Sequence, residues 1–473
     1  MKKLVVGISA LTVVVLVLAG LLFSQSQIFK DQMIAWQHPL DPKVEKLADQ
    51  AGLSSQAKFL LQISLAKVEN SSKTAVTDEK LAGLSGSYQN KKIIIYTTDN
   101  QNSSNVEALT AAHEMLHAVY DRLSAGAKSK VDTELKDFVV NTNEPYSELF
   151  ARTGTTNENL PADLAAAYKP YFSDSQKLQA VINSQAVKDQ LTAWQNPLDS
   201  EITALANQAG LNDQGKFLLA ASKTELQGSN TFKPGLTSDD SQTIIEGYYQ
   251  AQRIYVYDVT NPKVSGMMAV TAAHEMLHAA YERLSSKDKA SVDAQIQAYI
   301  PHIKNQDIKD MMTYYAKAEP GQELNELHSM LATEEPNLPA GLEAYYKRYF
   351  TNRAAVIAVD EQESAIFTGL KNQIDALQQK MTAESADITA KEASYDTAVN
   401  QLNADIAAYN AGQSSTTYDA LIAQQNALEG LSATINAEID QYNSEVPQMN
   451  ALGGQANSLS SSIGVSAGGS NGQ

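Results

Sequence analysis

The chain contains no cysteine. Disulfide bonds, thiolate metal ligands and thiol catalysis are therefore excluded, as is a lipid-anchored cysteine near the N-terminus. Any metal site must be built from histidine and carboxylate. An excess of basic residues is also absent, because 54 acidic residues outnumber 36 basic ones, for a formal net charge of −18. A nucleic-acid partner is disfavoured, since no basic field is available to replace phosphate counterions.

A clear signal-peptide cleavage site is missing as well. Lys2 and Lys3 precede an apolar run over residues 4–23, which as a helix is about long enough to cross a hydrocarbon layer of about 30 Å. The residues after this run offer no clear small-x-small cleavage site. We therefore expect an uncleaved signal anchor over residues 1–27, with the rest of the chain outside the cytoplasm. Cleavage followed by secretion is the alternative.

Two long segments of the chain repeat each other. The sequence DQMIAWQHPLD at 31–41 returns as DQLTAWQNPLD at 189–199, and AGL followed by KFLL returns at the same spacing of 158 residues. A chain of 473 residues is also too long for one typical domain. The repeat therefore predicts two tandem domains, over residues 28–187 and 188–353.

Each copy contains the nine residues TAAHEMLHA, at 110–118 and at 271–279. In a helix, residues four apart lie about 40° apart around the axis, so both imidazoles of a copy point the same way. Two such imidazoles can bind a divalent metal, and the Glu after the first His can accept a proton from the attacking water. The predicted metal-binding histidines are His113, His117, His274 and His278, and the predicted general bases are Glu114 and Glu275. A helix whose histidines are ordinary polar residues of a buried face is the alternative.

This HExxH pattern resembles the zincin superfamily of zinc-dependent metallopeptidases. The resemblance implies one Zn²⁺ in each copy and a third protein ligand that leaves one coordination position open. A Glu on a later helix would resemble the gluzincin branch, and Glu148 and Glu326 occupy matching positions 178 residues apart. The metzincin extension is absent, because neither 118–123 nor 279–284 contains the further glycine and histidine.

Other carboxylates compete for the third position. Aligning the Glu-Pro pairs at 144–145 and 319–320 would make Glu323 the ligand of the second copy instead. Asp121 and Glu282 lie four residues beyond the second His on the same helix face. They could be ligands, or they could orient an imidazole.

A short β-rich run precedes each motif, KIIIY at 92–96 and RIYVY at 253–257. The resemblance implies that this strand is the edge strand beside the metal, which would pair with an extended substrate. An ordinary sheet member is the alternative reading.

The second copy carries 17 extra residues around 299–319, since the spacing between matching landmarks rises from 161 to 178. Such insertions usually form surface loops or lids near a site, which favours the second copy as the active one. His38, His302 and His328 do not recur in both copies, so we interpret them as incidental to catalysis. The recurring pairs Tyr168/Tyr346 and Tyr171/Tyr349 are typical of a helix that packs on its own domain.

Beyond the second copy, apolar residues recur every seven positions from Phe367 to Tyr409, and again from Leu421 to Met449. A polar stretch at 410–417 separates the two runs, which predicts an antiparallel helical hairpin over 354–452. Pairing with another chain is the alternative, so the hairpin could bind a partner or self-associate. The Gly/Ser-rich tail, 453–473, is predicted to be disordered.

The sequence thus predicts an α+β, mostly helical protein with two tandem zincin-like domains, a helical hairpin and an N-terminal transmembrane helix. The implied activity is hydrolysis of peptide bonds in a protein or peptide substrate outside the cytoplasm. A non-catalytic, zinc-containing cell-envelope protein that binds or scaffolds is the alternative, and a cell-envelope component could also be the substrate.

Overall fold

The computed structural model describes residues 27–70, 86–97, 104–141, 166–234, 244–318 and 320–466. These parts are mostly helical (72%), with small sheets and a long C-terminal helix pair, as predicted. The predicted membrane anchor lies outside the described residues. Among the residues that are described, no helix combines the length and apolarity needed to cross a membrane.

The first copy begins with three helices, continues through a three-stranded sheet and then reaches the motif helix. Its elements in chain order are α1 (Gln27–Gln37), α2 (Pro42–Gln50), α3 (Ser55–Ile63), β1 (Lys67–Asn70), β2 (Gly86–Gln89), β3 (Lys92–Thr97), α4 (Ser104–Arg122), α5 (Ala125–Asn141), a 3₁₀ turn (Lys169–Tyr171) and α6 (Ser175–Ile182).

The second copy also runs through three helices and a three-stranded sheet to its motif helix, and a helix lies in the predicted insertion. Its elements are α7 (Gln185–Gln195), α8 (Ser200–Gln208), α9 (Asp213–Ala221), β4 (Glu225–Gln227), β5 (Ile244–Ile245), β6 (Gly247–Gln250), β7 (Arg253–Tyr257), α10 (Met267–Glu282), α11 (Ser286–Tyr299), a 3₁₀ turn (Ile300–His302), α12 (Gln306–Ala318), α13 (Glu323–Glu334) and α14 (Ala340–Tyr346). The long hairpin follows as α15 (Arg353–Asn410) and α16 (Tyr418–Ile463), and a short strand β8 (Val465–Ser466) ends the described chain.

Local sequence explains where the early helices of each copy begin. The Asp41 side chain accepts a hydrogen bond from a backbone N–H of α2, and Asp199 does the same for α8. Such caps satisfy amide groups that have no partner inside the helix. After both helices the chain turns at a glycine with positive φ, 67° at Gly52 and 69° at Gly210, where a side chain would be strained.

The two main sheets have the same topology. The order β1-β3-β2 in the first copy matches β4-β7-β6 in the second. The central strand pairs in parallel with the first strand and antiparallel with the second, with Gly86 opposite Ile95 and Gly247 opposite Val256. The predicted strands β3 and β7 are therefore central members of their sheets. The expectation that they form the edge beside the metal is wrong, because each uses both of its sides for pairing.

The hairpin pairs in the antiparallel sense, as predicted. Lys380 of α15 binds Glu445 of α16, whereas Lys391, farther along α15, binds the earlier Glu438. Asp405, farther still, accepts a hydrogen bond from Gln424. Polar side chains of the two helices thus pair with each other across the hairpin.

The first turns of the hairpin helix α15 are part of the core of the second copy. An isolated backbone bridge joins Leu53 to Phe172 in the first copy, and the matching bridge joins Leu211 to Phe350. Each bridge is followed by a helix, which is the short α6 in the first copy and the first two turns of α15 in the second. The predicted domain boundary at 353 therefore divides a packed unit, since Val356 is buried in the core of the second copy.

The second hairpin helix also runs farther than predicted. It continues to Ile463 instead of ending at 452, and Val465 then pairs with Ile245. Leu459 and Ile463 pack with Phe367 and the sheet of the second copy in a small apolar cluster. The predicted disordered tail is thus wrong for residues 453–466, because apolar side chains at helical spacing are buried there. Residues 467–473 lie outside the described part of the chain.

Candidate metal centre

The motif helix α10 lies at the centre of the second copy. Its inner face packs into a core that includes Ala272, Met276 and Leu277, together with Leu327 and Leu331 of α13. The helix also packs against β6, β7 and the start of α15. A helix held on so many sides is a rigid support for side chains at its surface.

The two histidines of α10 converge as their spacing predicts. Their Nε2 atoms are 3.1 Å apart, and the ring centroids are 4.8 Å apart with nearly perpendicular planes. His278 is buried, and His274 is partly exposed. One ligand atom from each of His274, Glu275 and His278 lies within 4.8 Å of the others, a grouping that could hold a metal ion.

Glu326, from the neighbouring helix α13, reaches both imidazoles. One carboxylate oxygen is 3.5 Å from His274 Nε2, and the other is 3.5 Å from His278 Nε2. Ligands at about 2.05 Å from a tetrahedral zinc ion are about 3.3 Å from one another. The separations of 3.1, 3.5 and 3.5 Å, the last two to different oxygens of the Glu326 carboxylate, are close to this value, so the three side chains could hold a single ion.

The carboxylates of Glu275 and Glu326 both lie near the two imidazoles, but at different distances from them. Glu326 meets both Nε2 atoms directly, whereas Glu275 belongs only to the looser 4.8 Å grouping. Glu326 is thus in a position to serve as a third ligand of a metal, and Glu275 is close enough to act on a molecule bound beside the histidine pair.

Neighbouring groups hold these ligands in orientation. Asn325 Oδ1 lies 3.1 Å from His278 Nδ1, so a proton on Nδ1 would be donated to Asn325 and Nε2 would keep its lone pair for a metal. Burial by itself would raise the pKa of Glu326. The imidazoles of His278 and His274 and a hydrogen bond with Tyr315 outweigh burial, so the pKa lies below its ordinary value.

Tyr315 belongs to α12, which fills the predicted insertion. The insertion is therefore a helix packed against α13 and not a loop, and it brings a hydroxyl group to a candidate ligand. The sequence showed only that extra residues were present here.

Glu275 is buried in the floor of the site. Burial raises its pKa to about 7; the charge of His278 opposes this shift and Glu326 adds to it. The backbone of β6 lies directly over Glu275, because a Cβ placed on Gly247 would collide with the Thr271 methyl group and approach Glu275 Cγ. Glycine at this position permits the close approach of strand to helix.

The competing carboxylates have other partners. Glu323 accepts a hydrogen bond from the backbone N–H of Gly321 at the start of its own helix. Glu282 accepts a hydrogen bond from the Tyr249 hydroxyl, and in the first copy Asp121 accepts one from Tyr88 at 2.9 Å. Asp121 and Glu282 therefore tie the motif helix to the edge strands β2 and β6.

The first copy reproduces the histidine pair but not a described third ligand. His113 and His117 bring their Nε2 atoms to 3.2 Å, and Glu114 is buried beside Gly86, as Glu275 is beside Gly247. Glu148 lies outside the described residues, so its predicted role stays a prediction.

His328 follows Glu326 on α13 but does not face the metal centre as a ligand. Its ring is buried among Tyr281, Tyr345 and Tyr346, and Nε2 is 2.8 Å from the Tyr345 hydroxyl. Burial lowers its pKa to about 3, with the charges of His278 and His274 adding to the shift. The recurring Tyr346 donates a hydrogen bond to the His328 carbonyl, so both residues support the core behind the site.

Comparisons of the chain with models of protein families, with curated proteins and with solved structures found no match.

Proposed function

We propose that the chain is a zinc-dependent peptidase with its principal site in the second copy. The observation that supports this proposal is the convergence of His274, His278 and Glu326 at 3.1 to 3.5 Å, with the buried Glu275 alongside. This donor set, two imidazoles and one carboxylate without thiolate, is typical of catalytic zinc. Three protein ligands leave a fourth position for a reactant.

Zinc bound at these ligands would supply a Lewis acid that polarises the scissile carbonyl group. The residues of the chain account for the other requirements. Glu275 accepts the proton of the attacking water and delivers it to the leaving amine, and a pKa near neutrality suits both tasks. Asn325 and Tyr315 keep the ligands in place, and no nucleophilic side chain is needed.

The edge strand β6 suggests how a substrate would lie. Among the described residues, β6 has a strand neighbour only on the side of β7. Its backbone passes directly over Glu275 at Gly247. An extended peptide that added to the open side of β6 would place its backbone beside the proposed base.

The first copy is proposed as a second zinc site, with His113, His117 and Glu148 as ligands and Glu114 as its base. The membrane anchor over residues 1–27 would hold the whole unit at the outer face of the membrane. An alternative function is that of a zinc-containing binding or scaffolding protein of the cell envelope, which would bind the metal without turnover.

Purified protein, analysed for bound metal and incubated with an unstructured protein such as casein, tests the proposal. We expect bound zinc and cleavage. Glu275→Gln should keep the metal and abolish cleavage, because only the proton acceptor is lost.

Glu326→Gln and Glu323→Gln form a matched pair. The first should weaken zinc binding by more than roughly 100-fold, since a charged ligand is removed, and the second should leave it unchanged. Zinc binding without cleavage would support the scaffolding alternative, and absence of zinc from the purified protein would reject both functions.

A further inference from the structure

Exposed apolar side chains concentrate at the tip of the hairpin. Ile406 and Tyr409, three residues apart, end α15, and Tyr418 and Ile422, four residues apart, begin α16. Tyr418 has 62% of its surface exposed. The apolar residues of α15 that pack on the second copy end at Phe367, so this tip lies about 65 Å farther along the helix. The tip has no packing function for the catalytic part at that distance.

The same part of the hairpin carries charge of one sign. Lys391 is the last basic residue of the whole chain, and its ion pair with Glu438 is the outermost one on the hairpin. Beyond this pair, residues 392–437, here called the distal arm, contain five acidic residues and no Lys, Arg or His. Four of these carboxylates are exposed: Glu392, Asp396, Asp419 and Glu429.

A groove of about 490 Å³ runs along the distal arm between its two helices. Tyr395, Val399 and Leu402 line it from α15, and Leu428 and the small Ala433 line it from α16. Small residues on one helix leave room for side chains of a third helix. The exposed Glu429 lies at the rim of this groove.

We propose that the distal arm is a docking site for a basic amphipathic helix of a partner protein. Such a helix would bury apolar side chains in the groove and place Lys or Arg beside the exposed carboxylates. A second copy of this chain fits poorly, because its own distal arm would bring five more acidic residues and no cation. An anionic membrane surface would repel the arm for the same reason.

The test uses the full chain and a synthetic helical peptide of about 20 residues, with Leu on one face and Lys on the other. A matching peptide with Glu in place of Lys is the counter-probe. Binding is followed by fluorescence anisotropy of the labelled peptide at two salt concentrations. The Lys peptide should bind, more weakly at high salt, and the Glu peptide should not.

Two variants locate the binding. One neutralises the four exposed carboxylates of the distal arm to Gln or Asn, and its control neutralises four exposed carboxylates of the repeats: Glu45, Glu201, Asp213 and Asp310. The other is Ala433→Trp, which fills the groove from an exposed position and leaves the seam intact. Both arm variants should weaken binding by roughly tenfold or more, and the control should bind as the original chain does.

Several outcomes would overturn the inference. Equal weakening in the control would show a response to net charge alone. Dimers cross-linked through the distal arm would identify a second copy as the occupant. Labelling of the distal arm by a photoactivatable phosphatidylcholine or phosphatidylglycerol, in vesicles that hold the full chain, would identify a membrane. Because the distal arm is remote from zinc, peptide binding should be unchanged in Glu275→Gln, so this inference and the proposed peptidase activity fail independently.

Discussion

The two copies of the repeat present the same histidine pair in different surroundings. The Nε2 atoms are 3.2 Å apart in the first copy and 3.1 Å apart in the second, and both pairs lie beside a buried Glu and an edge-strand glycine. The second copy adds α12, whose Tyr315 contacts Glu326, and a final helix that continues into the hairpin. The pair itself is a local product of helix periodicity, whereas α12 and the long α15 beside the second pair come from distant parts of the chain.

The hairpin helix α15 supplies much of that support. Arg353 donates hydrogen bonds to the carbonyls of Leu331 and Glu335 near the end of α13, and it forms an ion pair with Glu343. Glu363, farther along the same helix, accepts a hydrogen bond from Gly266 at the start of α10. One helix thus holds the ends of both helices that carry the candidate ligands.

The largest expected difference between the copies is in catalysis. His274→Ala with His278→Ala should remove one zinc and reduce cleavage by roughly 10²–10⁴-fold, because the second copy has the complete described site. His113→Ala with His117→Ala should remove the other zinc and leave most of the activity. Metal analysis with a casein cleavage assay measures both. A greater loss from His113→Ala with His117→Ala than from His274→Ala with His278→Ala would reverse the assignment of the principal site.

Substitutions of the edge-strand glycines, Gly247 in β6 and Gly86 in β2, compare the two sites in a second way. Gly247→Ala should force β6 away from α10 and reduce cleavage by roughly 100-fold, since displacements of about 1 Å at a reacting centre have effects of that size. Gly86→Ala should displace β2 in the same way but affect cleavage little if the first copy contributes little. Gly453→Ala, where nothing lies within 4 Å, is the control and should be neutral. Unchanged activity in Gly247→Ala would separate β6 from the substrate site.

A substitution of Arg353, the first residue of α15, tests how much this helix stabilises the second copy. Its counterpart in the first copy is Ser175, which starts the short α6. Arg353→Ala should lower the free energy of unfolding of the second copy by about 2–4 kcal/mol, because buried carbonyls lose their donor and Glu343 loses its ion pair. Ser175→Ala should change the first copy by less than about 0.5 kcal/mol. Hydrogen exchange of backbone amides, measured as a function of urea in α13 for the second copy and in α4 for the first, reports the two stabilities separately. Equal effects of the two substitutions would show that the contacts of Arg353 add no stability of their own.

A smaller difference should appear in the pH dependence of stability. Burial raises the pKa of Glu334 to about 8 and that of Glu246 to about 7, with nearby carboxylates adding to the rise. The first copy has Thr156 and Ser85 at these positions. Groups with a raised folded-state pKa favour folding while protonated, so this contribution is complete below about pH 4.5 and is lost as pH rises through about 7 and 8.

The matched variant for this prediction is Glu334→Gln. It should raise the melting temperature of the second copy at pH 8.5 and have little effect at pH 5, as followed by scanning calorimetry. Identical shifts at both pH values would show that ionisation of Glu334 is not involved.

The sequence by itself determined the features that depend on local periodicity. The duplication, the shared direction of His274 and His278, the approximate start of the hairpin and its antiparallel pairing all follow from spacings within short segments. Aligning the copies also selected Glu326, which lies beside the two imidazoles, although the sequence could not separate it from Glu323, because both lie on one helix only three residues apart.

Tertiary structure alone decided which parts meet across the chain. β7 is a central strand because β4 pairs with one of its sides and β6 with the other. The pattern RIYVY does not encode this pairing with other segments of the chain. The tail residues to 466 are ordered because Ile463 finds an apolar cluster formed by residues about 200 positions earlier. Helix periodicity is set by neighbours in sequence. Which strand lies at the sheet edge, which helix brings a carboxylate to the histidine pair and where the hairpin packs on the second copy all depend on contacts that form only when distant segments pack together.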